Sequence, residues 1–276
     1  MPRPPFPGTA YRPSWQTERV ADREPVLRAI LLGASNLHAA LPAVLDGVRR
    51  KAAGPAEVLA ACGHGRSYGT WSRFLFVRGL PGIAGCGLWR ALDGRPSLRT
   101  LGLITDIGND LVYGASVDEI TNWVEACLDR LARHRAEIVL TLLPLGRLEK
   151  LSAWEVRLAA SLLFPGRSAP WPGLLDRARE LDARLRRMGH DHGARLVEPE
   201  AAWYGIDPIH FRRSVRGEIW NRTLSLWPAD PGSLDRSAGR IRIPLLGAEE
   251  FQLFGITRRT PQPAVRLVDG TTLAIY

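Results

Sequence analysis

The sequence has few cysteines, almost no lysine and no long apolar run. Its three cysteines, Cys62, Cys86 and Cys127, are widely spaced, which argues against a disulfide framework and predicts small buried apolar side chains. No stretch reaches the ~18 apolar residues that a membrane-spanning helix needs. The first 24 residues are rich in proline and arginine and lack the apolar segment of a secretory signal. We therefore expect a cytoplasmic protein with no membrane span.

The positive charge comes almost entirely from arginine, because Lys51 and Lys150 are the only lysines in a chain of net charge +9. A strongly basic protein can be a nucleic-acid binder. The arginines are scattered, however, and no run reaches five or six like charges. General enrichment of arginine on a solvated surface explains the charge more simply, and we expect no nucleic-acid partner.

The composition is that of a globular protein, with 45% hydrophobic and 24% charged residues in 276. We predict an irregular N-terminal arm over residues 1–24 and a main domain over residues 25–229. Residues 230–276 are predicted to form a β-rich extension of that same domain, since no linker separates them. The extension includes strand-like patterns at 241–243 and 250–254, and a hairpin with a type I′ turn at Asp269-Gly270.

A lone hairpin is marginal in water, so the extension needs a surface to pack on. We expect it to pack beside the functional site or on a second copy of the chain, as a homo-oligomer. A passive cover over an apolar edge of the sheet is the alternative.

Short apolar runs alternate with helical patterns through the main domain. The predicted strands are Val26–Leu32, Glu57–Cys62, Leu101–Thr105, Glu137–Leu143 and Ala194–Val197. The segment Ser116–Glu119 has the pattern of a capping box at the start of a helix. This alternation predicts an α/β fold, with a parallel sheet covered by helices on both faces. In such sheets the ligand site lies beyond the carboxyl ends of the strands.

Glycine-bearing polar segments follow three of these strands. They are Gly33-Ala34-Ser35-Asn36, Gly63-His64-Gly65 and Gly108-Asn109-Asp110. A serine that opens a helix has its hydroxyl exposed and its N–H in the favourable field of the helix N-terminus. Further along, Asp207 and His210 stand three residues apart, a spacing that shares one face of a helical turn. A nucleophile, a base with its orienting acid, and fixed donors for an oxyanion are what acyl transfer needs.

These four segments, in this order, resemble the sequence blocks of SGNH, or GDSL-like, hydrolases from about Val26 to Phe211. The resemblance implies a flavodoxin-like three-layer α/β/α fold and hydrolysis of acyl or acetyl esters without a metal or cofactor. It also implies a nucleophile, Ser35, a base, His210, and an orienting acid, Asp207. The implied oxyanion donors are the N–H groups of Ser35 and Gly65 and the side-chain amide of Asn109.

Two departures from the family pattern stand out. Ala34 occupies the place where an acidic residue usually precedes the serine, although that acid is not one of the three catalytic residues. The glycine of the second block is Gly63, Gly65 or Gly69, and Gly65 is favoured because a polar pair, Arg66-Ser67, follows it.

Other interpretations of these residues remain open. Ser35 suits a helix N-cap, Asn109 a turn, and Asp207-Pro208 the start of a helix. The residues predicted as possible pocket lining are Asn36, His64, Trp203 and Tyr204. His190-Asp191-His192 offers too few ligands to predict a metal site. The substrate is expected to be a small-molecule or glycan ester. An acyltransferase using the same serine and an inactive SGNH-shaped binding module are the alternatives.

Overall fold

The computed structural model describes residues 24–74, 78–152, 155, 173–233 and 247–276. Of the predicted N-terminal arm, residues 1–23 lie outside this range, as does the alternating segment at 241–243. The statements below concern the described residues.

The main sheet has the strand order β10-β11-β2-β1-β5-β6-β7 in the described part of the chain. Its strands are β1 (Leu27–Leu32), β2 (Ala56–Ala61), β5 (Arg99–Ile104), β6 (Glu137–Thr141), β7 (Arg195–Val197), β10 (Val265–Arg266) and β11 (Thr272–Ile275). From β11 to β7 every neighbouring pair is parallel. Taken alone, the five strands from β1 to β7 have the 2-1-3-4-5 order of flavodoxin-like folds. The predicted fold class is therefore confirmed.

Helices cover both faces of this sheet, as predicted. They are α1 (Ser35–Arg49), α2 (Leu88–Asp93), α3 (Asn109–Val112), α4 (Val117–Arg133), α5 (Leu145–Leu148), α6 (Leu174–Asp191) and α7 (Arg216–Ser225). Helices α1 and α7 pack on one face of β1, and α2, α4 and α6 pack on the other. The predicted capping box at Ser116 and Glu119 opens α4. With both faces covered, all six residues of β1 and of β2 are buried.

The end of the chain joins the main sheet instead of standing apart from it. Strand β11 pairs in parallel with β2, and β10 pairs antiparallel with β11. The predicted hairpin is present, but the predicted type I′ turn is wrong, since φ is positive at Gly270 (88°) and not at Asp269. The Asp269 carboxylate accepts a hydrogen bond from Thr271 N at 3.0 Å and pairs with Arg49 at 2.7 Å. These contacts hold Asp269 in an ordinary conformation and leave the left-handed position to the glycine.

A second, antiparallel sheet has the order β3-β4-β8-β9 in the described residues. Its strands are β3 (Ser72–Phe74), β4 (Arg78–Leu80), β8 (Glu250–Leu253) and β9 (Ile256–Arg259). The first two strands follow the segment that contains Gly65, and the last two belong to the predicted C-terminal extension. This sheet therefore joins the extension to the chain that leaves the second glycine-bearing segment.

Candidate active site

The Ser35 turn lies at the carboxyl end of β1, the central strand. A Cβ built on Gly33 would lie 2.6 Å from Thr105 Cγ2, so only glycine lets β1 and the neighbouring strand come this close. Ala34 is the N-cap of α1 and supplies no side-chain cap, and Ser35 is the first helical residue. Ser35 is 4% exposed and therefore buried, whereas the sequence predicted an exposed hydroxyl at this place. Its place at the helix N-terminus favours a developing negative charge.

A carboxylate from the adjacent strand holds this turn. Asp106 follows β5 with a φ of 62°, a conformation that aspartate tolerates better than most residues. Its Oδ2 accepts hydrogen bonds from Ala34 N at 2.9 Å and from Leu37 N at 3.2 Å. Asp106 thus provides, from another strand, a carboxylate beside the Ser35 turn, where Ala34 supplies none. Burial raises the pKa of Asp106, and the hydrogen bonds that it accepts oppose that rise.

Asn36 links the Ser35 turn to the loop that carries His210. Its Nδ2 donates to Asp106 Oδ1 and to the Ile209 carbonyl, each at 2.9 Å. Its Oδ1 accepts from Phe211 N at 3.0 Å. The bonded backbone groups flank His210, while Asn36 itself follows Ser35. One buried amide therefore fixes the helix start and the histidine loop relative to each other.

Asp207 and His210 form a hydrogen-bonded pair. His210 Nδ1 lies 2.6 Å from Asp207 Oδ2. This bond is the main cause of a raised pKa at His210, which burial opposes. Burial would raise the pKa of Asp207, but the bonds from His210 and the backbone hold it below its usual value. An imidazole held through Nδ1 has its Nε2 free to exchange a proton with a hydroxyl.

The helical turn expected for this pair is not present. Residues 206–210 form a series of bends, and the next described helix begins at Arg216. Asp207 Oδ1 instead accepts from Ile209 N at 2.8 Å and from His210 N at 3.2 Å, which gives an Asx-type turn. The side chain that orients the imidazole therefore also shapes the loop.

The candidate glycines of the second block differ in their surroundings. Gly69 lies against the Trp123 ring and Gly63 against Leu80. Gly65 has a φ of 62°, and its carbonyl accepts a hydrogen bond from Tyr113 Oη at 2.9 Å. Of the three, only Gly65 has a backbone conformation that itself favours glycine.

The third segment places Asn109 at the start of α3, 7% exposed. The next residue, Asp110, accepts from Tyr68 N at 2.8 Å, and burial raises its pKa to about 6. Tyr68 Oη in turn donates to the Thr105 carbonyl at 2.7 Å. Asp110 therefore ties the chain that follows Gly65 to the segment that carries Asn109.

Two further histidines form a contact pair in this part of the protein. The rings of His38 and His64 are in edge contact, with centroids 4.7 Å apart. Burial, with His64 nearby, lowers the pKa of His38 to about 4. The His64 ring is only partly buried; this partial burial also lowers its pKa, and the charge of His210 adds to the effect. Both shifts favour the neutral imidazole.

An apolar cavity opens next to the Asp106–Asn36 network. Its polar lining includes Asn36, Asp106 and Asn109, and Tyr204 also contributes to the wall. The apolar lining includes Ile107, Leu111, Val112, Leu142, Leu143, Pro144, Leu148, Leu174, Ala178, Pro208, Ile209 and Phe211. The cavity volume, counted as the space open to the centre of a water-sized sphere, is about 90 Å³. One water needs roughly 10–15 Å³, so an organic group fits.

Of the predicted pocket residues, Asn36 and Tyr204 line this cavity. Trp203 instead packs in the core, edge-on to Phe211 and under the Arg222 guanidinium. His64 is exposed beside His38.

The remaining sequence predictions concern the cysteines, metal sites and membrane-spanning helices. All three cysteines are free and buried, as predicted. The described residues contain no group of three or more metal-ligating side chains arranged around one point. In the same residues, no helix combines the length and apolar character that a membrane crossing requires.

Sequence reasoning missed the role of Asp106 and gave Asn36 only a lining role. Two signals pointed to Asp106. The segment after β5 begins with an acid at a strand end, and the Ser35 turn lacks an acid of its own at Ala34.

Comparison with known proteins gave structural similarity only. No protein-family model matches the chain, and no curated protein matches its sequence. The psychrotrophic esterase EstA from Pseudoalteromonas sp. is 14% identical, covering 72% of this chain and 97% of its own, with a TM-score of 0.42. The M. smegmatis aryl esterase is 13% identical, with coverages of 72% and 97% and a TM-score of 0.45. AlinE4, an SGNH-hydrolase family esterase, is 19% identical, with coverages of 63% and 76% and a TM-score of 0.38. The chain is thus similar in structure to esterases, including one of the SGNH-hydrolase family.

Proposed function

We propose that the protein is a serine-dependent esterase that cleaves a carboxylic ester through an acyl-enzyme intermediate. In this proposal Ser35 is the nucleophile, His210 the general base and Asp207 its orienting acid. The oxyanion is stabilised by the N–H groups of Ser35 and Gly65 and by the side-chain amide of Asn109. No metal or cofactor is required.

The Asn36 side chain carries the proposal. It bonds to Asp106, which holds the start of α1, and to the backbone on both sides of His210. Ser35 and His210 are far apart in sequence. Ser35 nevertheless directly precedes Asn36, and His210 lies between the two residues whose backbone bonds to the Asn36 amide. A base must come within hydrogen-bond reach of the nucleophile that it activates. A fixed link between the two segments is what that reach requires.

The proposed steps balance without a cofactor. His210 Nε2 takes the Ser35 proton as Oγ attacks the ester carbonyl, and the imidazolium then gives that proton to the leaving alkoxide. Water, deprotonated by His210, attacks the acyl-enzyme, and the imidazolium returns that proton to Ser35 Oγ as the acid leaves. Asp207 stabilises the imidazolium in both halves without taking the proton. The apolar cavity beside Asn36 and Asn109 supports an ester with an apolar group.

Covalent labelling with a fluorophosphonate probe tests the nucleophile. We expect wild type to be labelled at Ser35, identified by mass spectrometry of the labelled peptide, and Ser35→Ala not to be labelled. Ser67→Ala is the matched control, although Ser67 is buried and accepts hydrogen bonds from Gly69 N and Thr70 N, so its melting temperature is checked first. Labelling of Ser35→Ala at the wild-type rate would disprove the assignment.

A panel of p-nitrophenyl esters with acyl chains of increasing length tests the activity, with and without added alcohols. Acid release without an added alcohol supports the esterase. Product that forms only when an alcohol is present identifies an acyltransferase, and labelling without turnover of any ester contradicts the proposed hydrolysis.

A further inference from the structure

The tip of the β8–β9 hairpin exposes apolar side chains together. Leu253 is 38% exposed, Phe254 73% and Ile256 57%. Leu253 and Ile256 are partners across the two strands, so the three side chains are adjacent. Among the described residues, the other exposed large apolar side chains are separated along the sequence, at Val26, Trp71, Ile206 and Val268. Scattered apolar side chains are normal on a surface, whereas a cluster indicates an interaction site.

The backbone of the same tip is strained. Phe254 has a φ of 49° and Gly255 a φ of 79°, the two positive values of a type I′ turn. Asparagine, aspartate or glycine ordinarily occupies the first of these positions, and a bulky aromatic residue there costs free energy. The Phe254 ring recovers little of that cost within its own chain, because it is mostly exposed. A contact of this ring with a partner outside the chain would bury it and offset the conformational cost.

Positive charge surrounds the apolar tip. Arg258 and Arg259 follow it in β9 and are exposed, and Arg78 lies in β4 beside β8. Residues 251–268 include no aspartate or glutamate. Glu250 is the acidic residue of β8, and Arg259 pairs with it at 3.2 Å. An apolar wedge next to arginines matches a surface in which phosphate groups lie above hydrocarbon.

We infer that the β8–β9 hairpin docks the protein on an anionic phospholipid bilayer, with Leu253, Phe254 and Ile256 entering the interface and the exposed arginines of β9 contacting lipid phosphates. A second copy of the chain fits this surface less well. A two-fold contact sets the same patch against itself, which would bring the arginines of both copies together.

The docking surface is joined to the candidate active site through β4. Arg78 and Gly79 pair with Leu253 and Gln252 of β8, and the Arg78 guanidinium lies 5.5 Å from the centre of the Phe251 ring. Burial is the main cause of the lowered pKa values of His38 and His64, and Arg78 adds to both shifts. Arg78 is therefore close both to the hairpin and to His38 and His64. If the proposed esterase function holds, docking brings lipid-borne esters close to Ser35; the docking itself does not depend on that function.

Vesicle co-sedimentation of the full chain tests the inference. The vesicles are pure phosphatidylcholine, or phosphatidylcholine with 30 mol% phosphatidylglycerol. We expect binding to the anionic vesicles that weakens as salt is raised, and much weaker binding to the neutral ones. Phe254→Asn removes the ring and suits the turn, so its melting temperature should equal or exceed that of wild type. Its affinity for anionic vesicles should fall at least about tenfold, the effect of no longer burying one aromatic side chain.

Val268→Asn is the matched control, since Val268 is 88% exposed on a different turn; its affinity should be that of wild type. Ser35→Ala should also bind vesicles like wild type, so a failure of the proposed esterase function is distinguishable from a failure of docking. Absence of binding to anionic vesicles at low salt overturns the inference. Equal affinity of wild type and Phe254→Asn also overturns it. Self-association that Phe254→Asn abolishes, without vesicle binding, assigns the hairpin to a second copy instead.

Discussion

Buried polar groups lie at both ends of the main sheet, and the two ends use them differently. At the amino end, Arg28 of β1 bonds to its register partner Glu57 of β2 at 2.7 Å, and Arg95 bonds to the same carboxylate. At the carboxyl end, the Asp106 carboxylate has three neutral donors, two backbone N–H groups and the Asn36 amide. The first arrangement gives the buried Arg28 a counter-charge. The second fixes the positions of the segments that carry Ser35 and His210.

A mutation at the amino end of the sheet should therefore change mainly stability, and a mutation at the carboxyl end should change mainly activity. Loss of one partner in a buried ion pair leaves an uncompensated charge and lowers stability. Loss of a group at the carboxyl end disturbs the candidate chemistry, and it affects stability only as far as hydrogen bonds are lost. The predictions below test this separation.

The largest effect is expected for His210→Ala. Under the proposed mechanism, loss of the general base lowers kcat/KM for an ester by about 10²–10⁴-fold. The free energy of unfolding should change by less than about 1 kcal/mol, the range of most substitutions outside the core. Steady-state assays and urea unfolding measure the two effects. His192→Ala is the control, because His192 bonds to Asp129 away from this edge. An active His210→Ala would remove His210 from the mechanism.

At the opposite end of the sheet, Glu57→Gln should destabilise the protein by about 3–5 kcal/mol, because Arg28 is buried and loses its counter-charge. The kcat of the folded fraction should stay near that of wild type. Urea unfolding and assays below the melting temperature check both statements. Glu250→Gln breaks an exposed pair and should cost less than about 1 kcal/mol. Equal destabilisation by the two variants would contradict the role of burial.

Asn36→Ala should lower both stability and activity, because its side chain satisfies buried backbone groups and also links the Ser35 and His210 segments. Its three hydrogen bonds are lost and buried backbone groups lose a partner, which costs about 1–3 kcal/mol. The relative position of Ser35 and His210 should loosen as well, with a fall in kcat of roughly 10²-fold. The exposed Asn122→Ala is the control for asparagine loss. An unchanged kcat would show that the Asn36 link does not position the catalytic groups.

The smallest expected effect is a shift in the midpoint of the pH dependence of kcat/KM. A general base must be neutral, so kcat/KM should rise with pH through the pKa of His210. The Asp207 bond raises that pKa above its ordinary value of 6.5, so the midpoint should lie above 6.5. Asp207→Asn removes the bonded charge, and the midpoint should move to lower pH. Asp129→Asn alters a different His–Asp pair, at His192, and should leave the midpoint in place. A midpoint that Asp207→Asn does not move would assign the pH dependence to another group.

The sequence by itself determined the fold class and the order of the main strands along the chain. Apolar runs such as 27–32 must be buried on both faces, and this requirement is local to each segment and visible in its composition. The same patterns placed three segments directly after strands, those of Ser35, the second-block glycines and Asn109. The segments were expected to lie near one another because the carboxyl ends of parallel strands share one edge of the sheet.

Only the tertiary structure decided how these segments are held. The acid beside the Ser35 turn comes from Asp106, some seventy residues away, and Asn36 reaches Ile209 and Phe211 across the sheet edge. The helical turn expected at Asp207 is absent, and the Asp207 carboxylate bonds instead to backbone N–H groups of its own loop. The type I′ turn expected at Asp269 is also absent, and that carboxylate contacts Arg49 and Thr271. Sequence patterns report the preference of each segment. Bonds between distant segments depend on how the sheet brings them together, which local patterns do not encode.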